Sequence, residues 1–129
     1  LSQDVIKLHE DDDIHQALEK FKQVNLMSLP VVNMEEKLVG TLALYEVVEW
    51  FKGAADPRNS WQHYVRQIMS RRVVTVEPSQ PIQDLVPYFV EKSFNYIAVV
   101  ENQRLIGIVS RADMIAALQQ LLNQQHVLN

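Results

Sequence analysis

Short apolar runs alternate along this chain with segments in which apolar residues return every three or four positions. That alternation predicts strand, helix, strand, strand, helix, and the order occurs twice. Short strands are expected at residues 5–8 and 73–76. Ile14, Ala17, Leu18, Phe21 and Val24 then fall at helical spacing, as do Ile82, Leu85, Val86 and Phe89 in the second occurrence. Asp11, Asp12 and Asp13 precede the first helix, and Ser79, Gln80 and Pro81 the second. Both supply helix-start chemistry, either side-chain acceptors for free N–H groups or a proline at the first turn. Two short strands joined by a polar turn follow in each case and predict a hairpin. Final helices are expected over about 44–52 and about 111–125. Residues 53–59 (GAADPRN) read as a connector holding the breakers Gly53 and Pro57. Ser60 is expected to cap a short helix over 61–69.

The two occurrences superpose residue by residue. With Val5 laid on Val73, Ile14 meets Ile82 and Phe21 meets Phe89. Leu29-Pro30-Val31-Val32 meets Ile97-Ala98-Val99-Val100. The first hairpin turn is one residue longer, after which Leu38-Val39-Gly40 meets Leu105-Ile106-Gly107. Coincident apolar positions and a shared glycine after the turn indicate two copies of one supersecondary unit. A unit of about 50 residues cannot bury a sheet face alone. The fold class expected is α/β (α+β type), two β-α-β-β-α repeats packed with pseudo-twofold symmetry around a cleft. The domains expected are a first repeat at 4–52, a connector at 53–60, and a second repeat with its leading helix at 61–122.

Composition narrows the function classes. Hydrophobic residues make up 47% of the 129, enough for a real core. Twelve basic residues against 16 acidic give a net charge of −4, which argues against a general nucleic-acid binder. The absence of cysteine removes disulfides and thiol chemistry and leans toward the cytoplasm. No apolar run reaches the roughly 20 residues of a membrane span, and no signal peptide is visible. The chain begins at Leu1 rather than Met and reads as a trimmed piece of a larger protein, membrane proteins included.

Four segments carry a family likeness: Val65-Arg66-Gln67-Ile68-Met69, Val73-Val74-Thr75-Val76, Ile97-Ala98-Val99-Val100, and above all Gly107-Ile108-Val109-Ser110-Arg111-Ala112-Asp113. In order, spacing and duplication the chain resembles the CBS domain family in its tandem form, the Bateman module. The resemblance implies an adenosine ligand (AMP, ADP, ATP or S-adenosylmethionine) in the inter-repeat cleft. It also implies a homodimer formed through helices, and control of an attached enzyme or transporter domain.

Ser110 and Asp113 lie where a strand ends and a helix begins. Free backbone N–H groups there favour an anion, and a serine hydroxyl adds a donor. The resemblance gives Ser110 the phosphate and Asp113 the ribose, with Arg111 adding charge. The same spacing is also a capping box, which stabilises a helix start without any ligand, and both roles can coexist. The first repeat has Ala43 and Glu46 at the matching positions, so one good site and one degenerate site are expected. By the same likeness the base would rest against Val74, Thr75, Asn95, Tyr96 and Ile97. Tyr96 could equally be packing and Asn95 a turn residue.

Other clusters have simpler readings. His9, Glu10, Asp11, Asp12, Asp13 and His15 hold metal-ligand types, but without a recurring spacing they read as a solvated helix start, and no metal is expected. His63 and His126 have no evident catalytic partner. Arg66, Arg71, Arg72, Arg104 and Arg111 concentrate in the second repeat and would focus a positive field there. Trp50, Phe51 and Trp61 flank the connector and suit core or dimer packing. With no nucleophile–base pair and three glycines in all, an enzyme is not expected. The leading expectation is a nucleotide-sensing regulatory module, with no tightly bound cofactor required. The alternative is a ligand-free structural dimerisation module.

Overall fold

The computed structural model describes residues 5–91 and 95–128, with backbone alone for 89–91 and 125–128. The expectations placed on Asp4, the Phe89 side chain and His126 lie outside the described residues. The first repeat runs β1 (Leu8–His9), α1 (Ile14–Phe21), β2 (Ser28–Val32), β3 (Leu38–Ala43) and α2 (Leu44–Gly53). A 3₁₀ turn (Pro57–Gln62) and α3 (Val65–Ile68) lead into the second repeat. There β4 (Thr75–Val76) is followed by a 3₁₀ turn (Ile82–Leu85) continuing as α4 (Val86–Glu91). Then come β5 (Tyr96–Glu101), β6 (Arg104–Ser110) and α5 (Arg111–Leu128).

Each repeat folds into a three-stranded sheet of the same order, β1-β2-β3 and β4-β5-β6. The short first strand pairs parallel with the middle one, and the hairpin pairs antiparallel. Both hairpins shift register at the matching step, Val31 to Val32 and Val99 to Val100. The duplication therefore extends to an irregularity that the amino-acid pattern does not display.

Alternation along the strands divides the apolar residues among three cores. Leu8, Ile14, Ala17, Leu29 and Val31 pack under the first repeat's helices. Val76, Leu85, Ile97, Val109 and Met114 do the same in the second. Val32, Tyr96, Ala98 and Leu105 form the third core, with Leu38, Val73 and Ile108 packed against it. This third core draws on both repeats and buries the sheet faces that neither repeat buries alone.

Several expected boundaries move. The outer strands are two residues long, because only Leu8 and His9, and Thr75 and Val76, reach ladder register with the middle strands. The segment before β4 instead bonds across to the first repeat, where Ser70 and Thr41 exchange both backbone hydrogen bonds at 2.9 Å. Helix α1 stops at Phe21, and Val24 packs on the core from the loop beyond it. The helix expected over 61–69 is broken. Asp56, not Ser60, caps its first part, with Pro57 opening the turn. His63 and Tyr64 are extended, because Tyr64 bridges Asp13 and the His63 carbonyl accepts from Ile14 N at 3.1 Å.

Gly40 is fixed by close approach. A Cβ there would lie 2.5 Å from the Ser70 carbonyl oxygen, inside the contact that joins β3 to the approach of β4.

Candidate functional site

The two strand-to-helix junctions of the repeats differ in chemistry. In the second, the Asp113 carboxylate accepts from Ser110 N at 2.8 Å and from the Ser110 hydroxyl at 3.0 Å. Asp113 N donates back to Ser110 Oγ at 3.2 Å. This is a reciprocal cap at the start of α5. Both side chains remain half-buried rather than sealed, and Arg111 beside them is exposed. In the first repeat Glu46 accepts from Ala43 N at 2.8 Å, and no hydroxyl is present. Burial pushes the Glu46 carboxyl above its usual range, against the effect of that hydrogen bond.

Strand register decides which of the other candidate residues share a face. Tyr96 pairs with Ser110 across β5 and β6, and both face the inter-repeat side. Thr75 pairs with Ala98 on that same side and is exposed. Val74 and Ile97 turn the other way, into the core under the helices, so only their backbone groups face the cleft. Asn95 lies half-buried just before β5. The Tyr96 ring is 6% exposed and packs in the inter-repeat core. Its hydroxyl meets Thr41 Oγ1 of the first repeat.

A cavity of about 460 Å³ opens along the seam where β3 approaches β4. Thr75 lines it, together with Val73 and with Asn33, Lys37 and Gln103 of the two hairpin turns. Ser110 and Asp113 do not, because Tyr96 stands between them and the cavity in strand order. Asn33, Lys37 and Gln103 carried no signal as isolated residues. They become visible only when the hairpin turns of the two repeats are brought together.

The acidic segment at residues 9–15 resolves into separate pairs. Asp12 meets Lys20 at 3.0 Å, His9 meets Glu36 at 3.3 Å, and Asp11 meets Arg66. Among the described residues no cluster of His, Asp and Glu could hold a metal ion. Arg66 also lies 4.6 Å from the Tyr64 ring centre. Trp50 packs on the first core with its ring 5.4 Å from that of His63, while Phe51 and Trp61 are exposed. None of the described helices is long and apolar enough to cross a membrane.

The duplicated β-α-β-β-α unit is matched by the family model of the CBS domain, once over residues 1–53 and again over 65–120. The chain belongs to the CBS domain family. As a CBS pair it is 28% identical over 118 residues to an uncharacterised protein of Methanocaldococcus jannaschii, covering 92% of this chain and 41% of that protein. A second M. jannaschii protein is 25% identical, with 88% of this chain and 85% of the relative covered. The chain thus spans less than half of one relative and most of the other. Among solved CBS folds, CBSX2 in complex with AMP aligns with a TM-score of 0.77 at 22% identity, over 92% of this chain and 90% of that one.

Proposed function

We propose that this CBS pair is a regulatory module that binds an adenosine ligand through its second repeat and so biases the placement of a partner or attached domain. The observation that carries this reading is the Ser110–Asp113 junction. It keeps a hydroxyl, a carboxylate and an exposed Arg111 together at the start of α5, where the first repeat has Ala43, without a hydroxyl, and a half-buried Glu46. The AMP complex of a CBS fold supports the choice of ligand class. In this reading Ser110 and Arg111 face phosphate, and Asp113 exchanges its contact with Ser110 for the ribose hydroxyls. The backbone of Val74 and Ile97, with Thr75 and Asn95, lies beside the base. Tyr96 reaches the base by leaving Thr41, which ties occupancy to the inter-repeat contact. A ligand acts on the partner only through unequal affinity for the two arrangements. Such a module works in the cytoplasm, where these ligands are found.

Isothermal titration with AMP, ADP, ATP and S-adenosylmethionine tests the proposal on folded protein stripped of ligand. Saturable binding of at least one, weakened about 1–3 kcal/mol by Asp113→Ala, is expected from the loss of hydrogen bonds to a charged group. Silence from all four ends the sensor reading.

A second reading is a ligand-free dimerisation module. Its support is the exposed apolar set on α2 and α5: Tyr45, Val48, Phe51, Ile115, Leu118 and Leu122. Burial of such residues between two copies is the expected use of an apolar patch. A firm dimer by light scattering, together with a flat thermal-shift screen, favours this reading over the first.

A further inference from the structure

A pocket of about 600 Å³ is lined by the C-terminal end of α2, the connector and α3. It shares no lining residue with the seam between the repeats or with the Ser110–Asp113 junction. Its volume is within the range of small-molecule sites. The fold itself holds its walls in place. Trp50 and Ile68 line it and pack on the first repeat's core, which fixes an aromatic and an aliphatic surface there. The His63 ring stands 5.4 Å from that of Trp50, and the His63 carbonyl is held by Ile14 N. Gly53 ends α2 with nothing within 4 Å of its absent Cβ, so a missing side chain keeps this part of the pocket open.

The pocket is negative in character. Glu49 and Asp56 line it, and among the described residues no Lys or Arg does. The unpaired carbonyls that end any helix add partial negative charge at the end of α2. Lys52 lies 3.8 Å from Glu49, and Arg58 lies 3.1 Å from Asp56. Both pairs join exposed side chains, where solvent screening leaves them weak and easily exchanged. Among the described residues no group of His, Asp and Glu could hold a metal ion, so Glu49, Asp56 and His63 do not form a compact ion site. Separated carboxylates beside an indole suit a larger cation whose charge is spread over N–H and C–H groups. Such cations are attracted to the face of a tryptophan ring.

We infer that this pocket is a binding site for a small organic cation of the alkylammonium class. The ammonium group lies against Trp50, between the carboxylates of Glu49 and Asp56, and the carbon body rests on Ile68. The site belongs to the first repeat and the connector, and it works independently of any ligand at the second repeat's Ser110–Asp113 junction.

The test is a titration of the full chain with n-butylammonium chloride at constant ionic strength, followed by amide and indole N–H chemical shifts. Saturable shifts are expected at the Trp50 indole, Gly53, Asn59 and Gln67. Butan-1-ol, which has the same carbon body without the charge, should not produce them. Gly53→Leu places a side chain into the open space and should abolish binding while leaving the melting transition cooperative. Glu49→Gln, on the exposed face of α2, should weaken binding about three-fold, the scale of one solvent-exposed ion pair. Asp113→Ala should leave the shifts unchanged. No saturable shift at tens of millimolar butylammonium, equal shifts with butan-1-ol, or undiminished binding in either pocket variant would each overturn the inference. Because butylammonium carries neither adenosine nor phosphate, this site can fail while the adenosine reading holds, or survive its failure.

Discussion

Tyr96 of the second repeat and Thr41 of the first meet hydroxyl to hydroxyl at 2.5 Å. Thr41 Oγ1 donates onward to the Leu29 carbonyl at 3.1 Å, so the phenol is the donor to Thr41. The chain of two bonds links the start of β5 to β3 and on to β2. It lies in the one core that both repeats share. Tyr96→Phe keeps the ring and removes the donor, so it should cost about 0.5–1.5 kcal/mol in urea denaturation. A loss near zero would mean that the contact contributes only packing.

The same burial sets an alkaline limit. Desolvation drives the Tyr96 phenol well above the usual tyrosine range, and the hydrogen bond with Thr41 only partly offsets it. In the unfolded chain the phenol ionises near about pH 10. Below that value both states are protonated and this contribution is complete. Above it the unfolded state loses its proton first, so stability falls as pH rises. Absorbance titration should find that one of the four tyrosines ionises only as the fold is lost. In Tyr96→Phe the ionisation that coincides with loss of the fold should be absent.

Glu46 predicts the opposite end of the scale. Its carboxyl is raised by burial, so the folded state favours the protonated form. That preference stabilises the fold below the usual glutamate range and is lost as pH rises through the folded value. Glu46→Gln keeps an acceptor for Ala43 N and removes the charge. Its Tm should exceed that of the wild type at pH 7, and the advantage should shrink on acidification toward pH 4. A pH-independent difference would assign the effect to packing instead.

Two glycines should respond in opposite directions. Gly40→Ala forces a methyl toward the Ser70 carbonyl and should cost roughly 1–3 kcal/mol. Gly53 ends α2, and nothing lies within 4 Å of its absent Cβ. Gly53→Ala should therefore stabilise by about 0.4–1 kcal/mol, through the unfolded chain. Thermal melts of both variants check the pair together.

Ser110→Ala separates capping from binding. Loss of the reciprocal cap should cost about 0.5–2 kcal/mol of stability whatever the ligand. If Ser110 also faces phosphate, AMP affinity should fall while adenosine affinity holds. Equal loss for both would leave Ser110 a capping residue only.

The sequence by itself determined the duplicated unit, its element order and the family to which it belongs. Apolar periodicity and the matched positions from Val5 and Val73 to Gly40 and Gly107 depend on local backbone preference, which a linear pattern records. It also marked the Ser110–Asp113 junction as richer than Ala43–Glu46, because that difference is one of side-chain chemistry at aligned positions. Only the tertiary structure decided that Tyr96 closes on Thr41, that the helix over 61–69 breaks at His63 and Tyr64, and that Lys7 pairs with Glu36. Each of these depends on residues distant in the chain: Thr41 with Tyr96, Asp13 with Tyr64, and Lys7 with Glu36. Such contacts arise when two repeats pack face to face, and local sequence preference does not encode that distance.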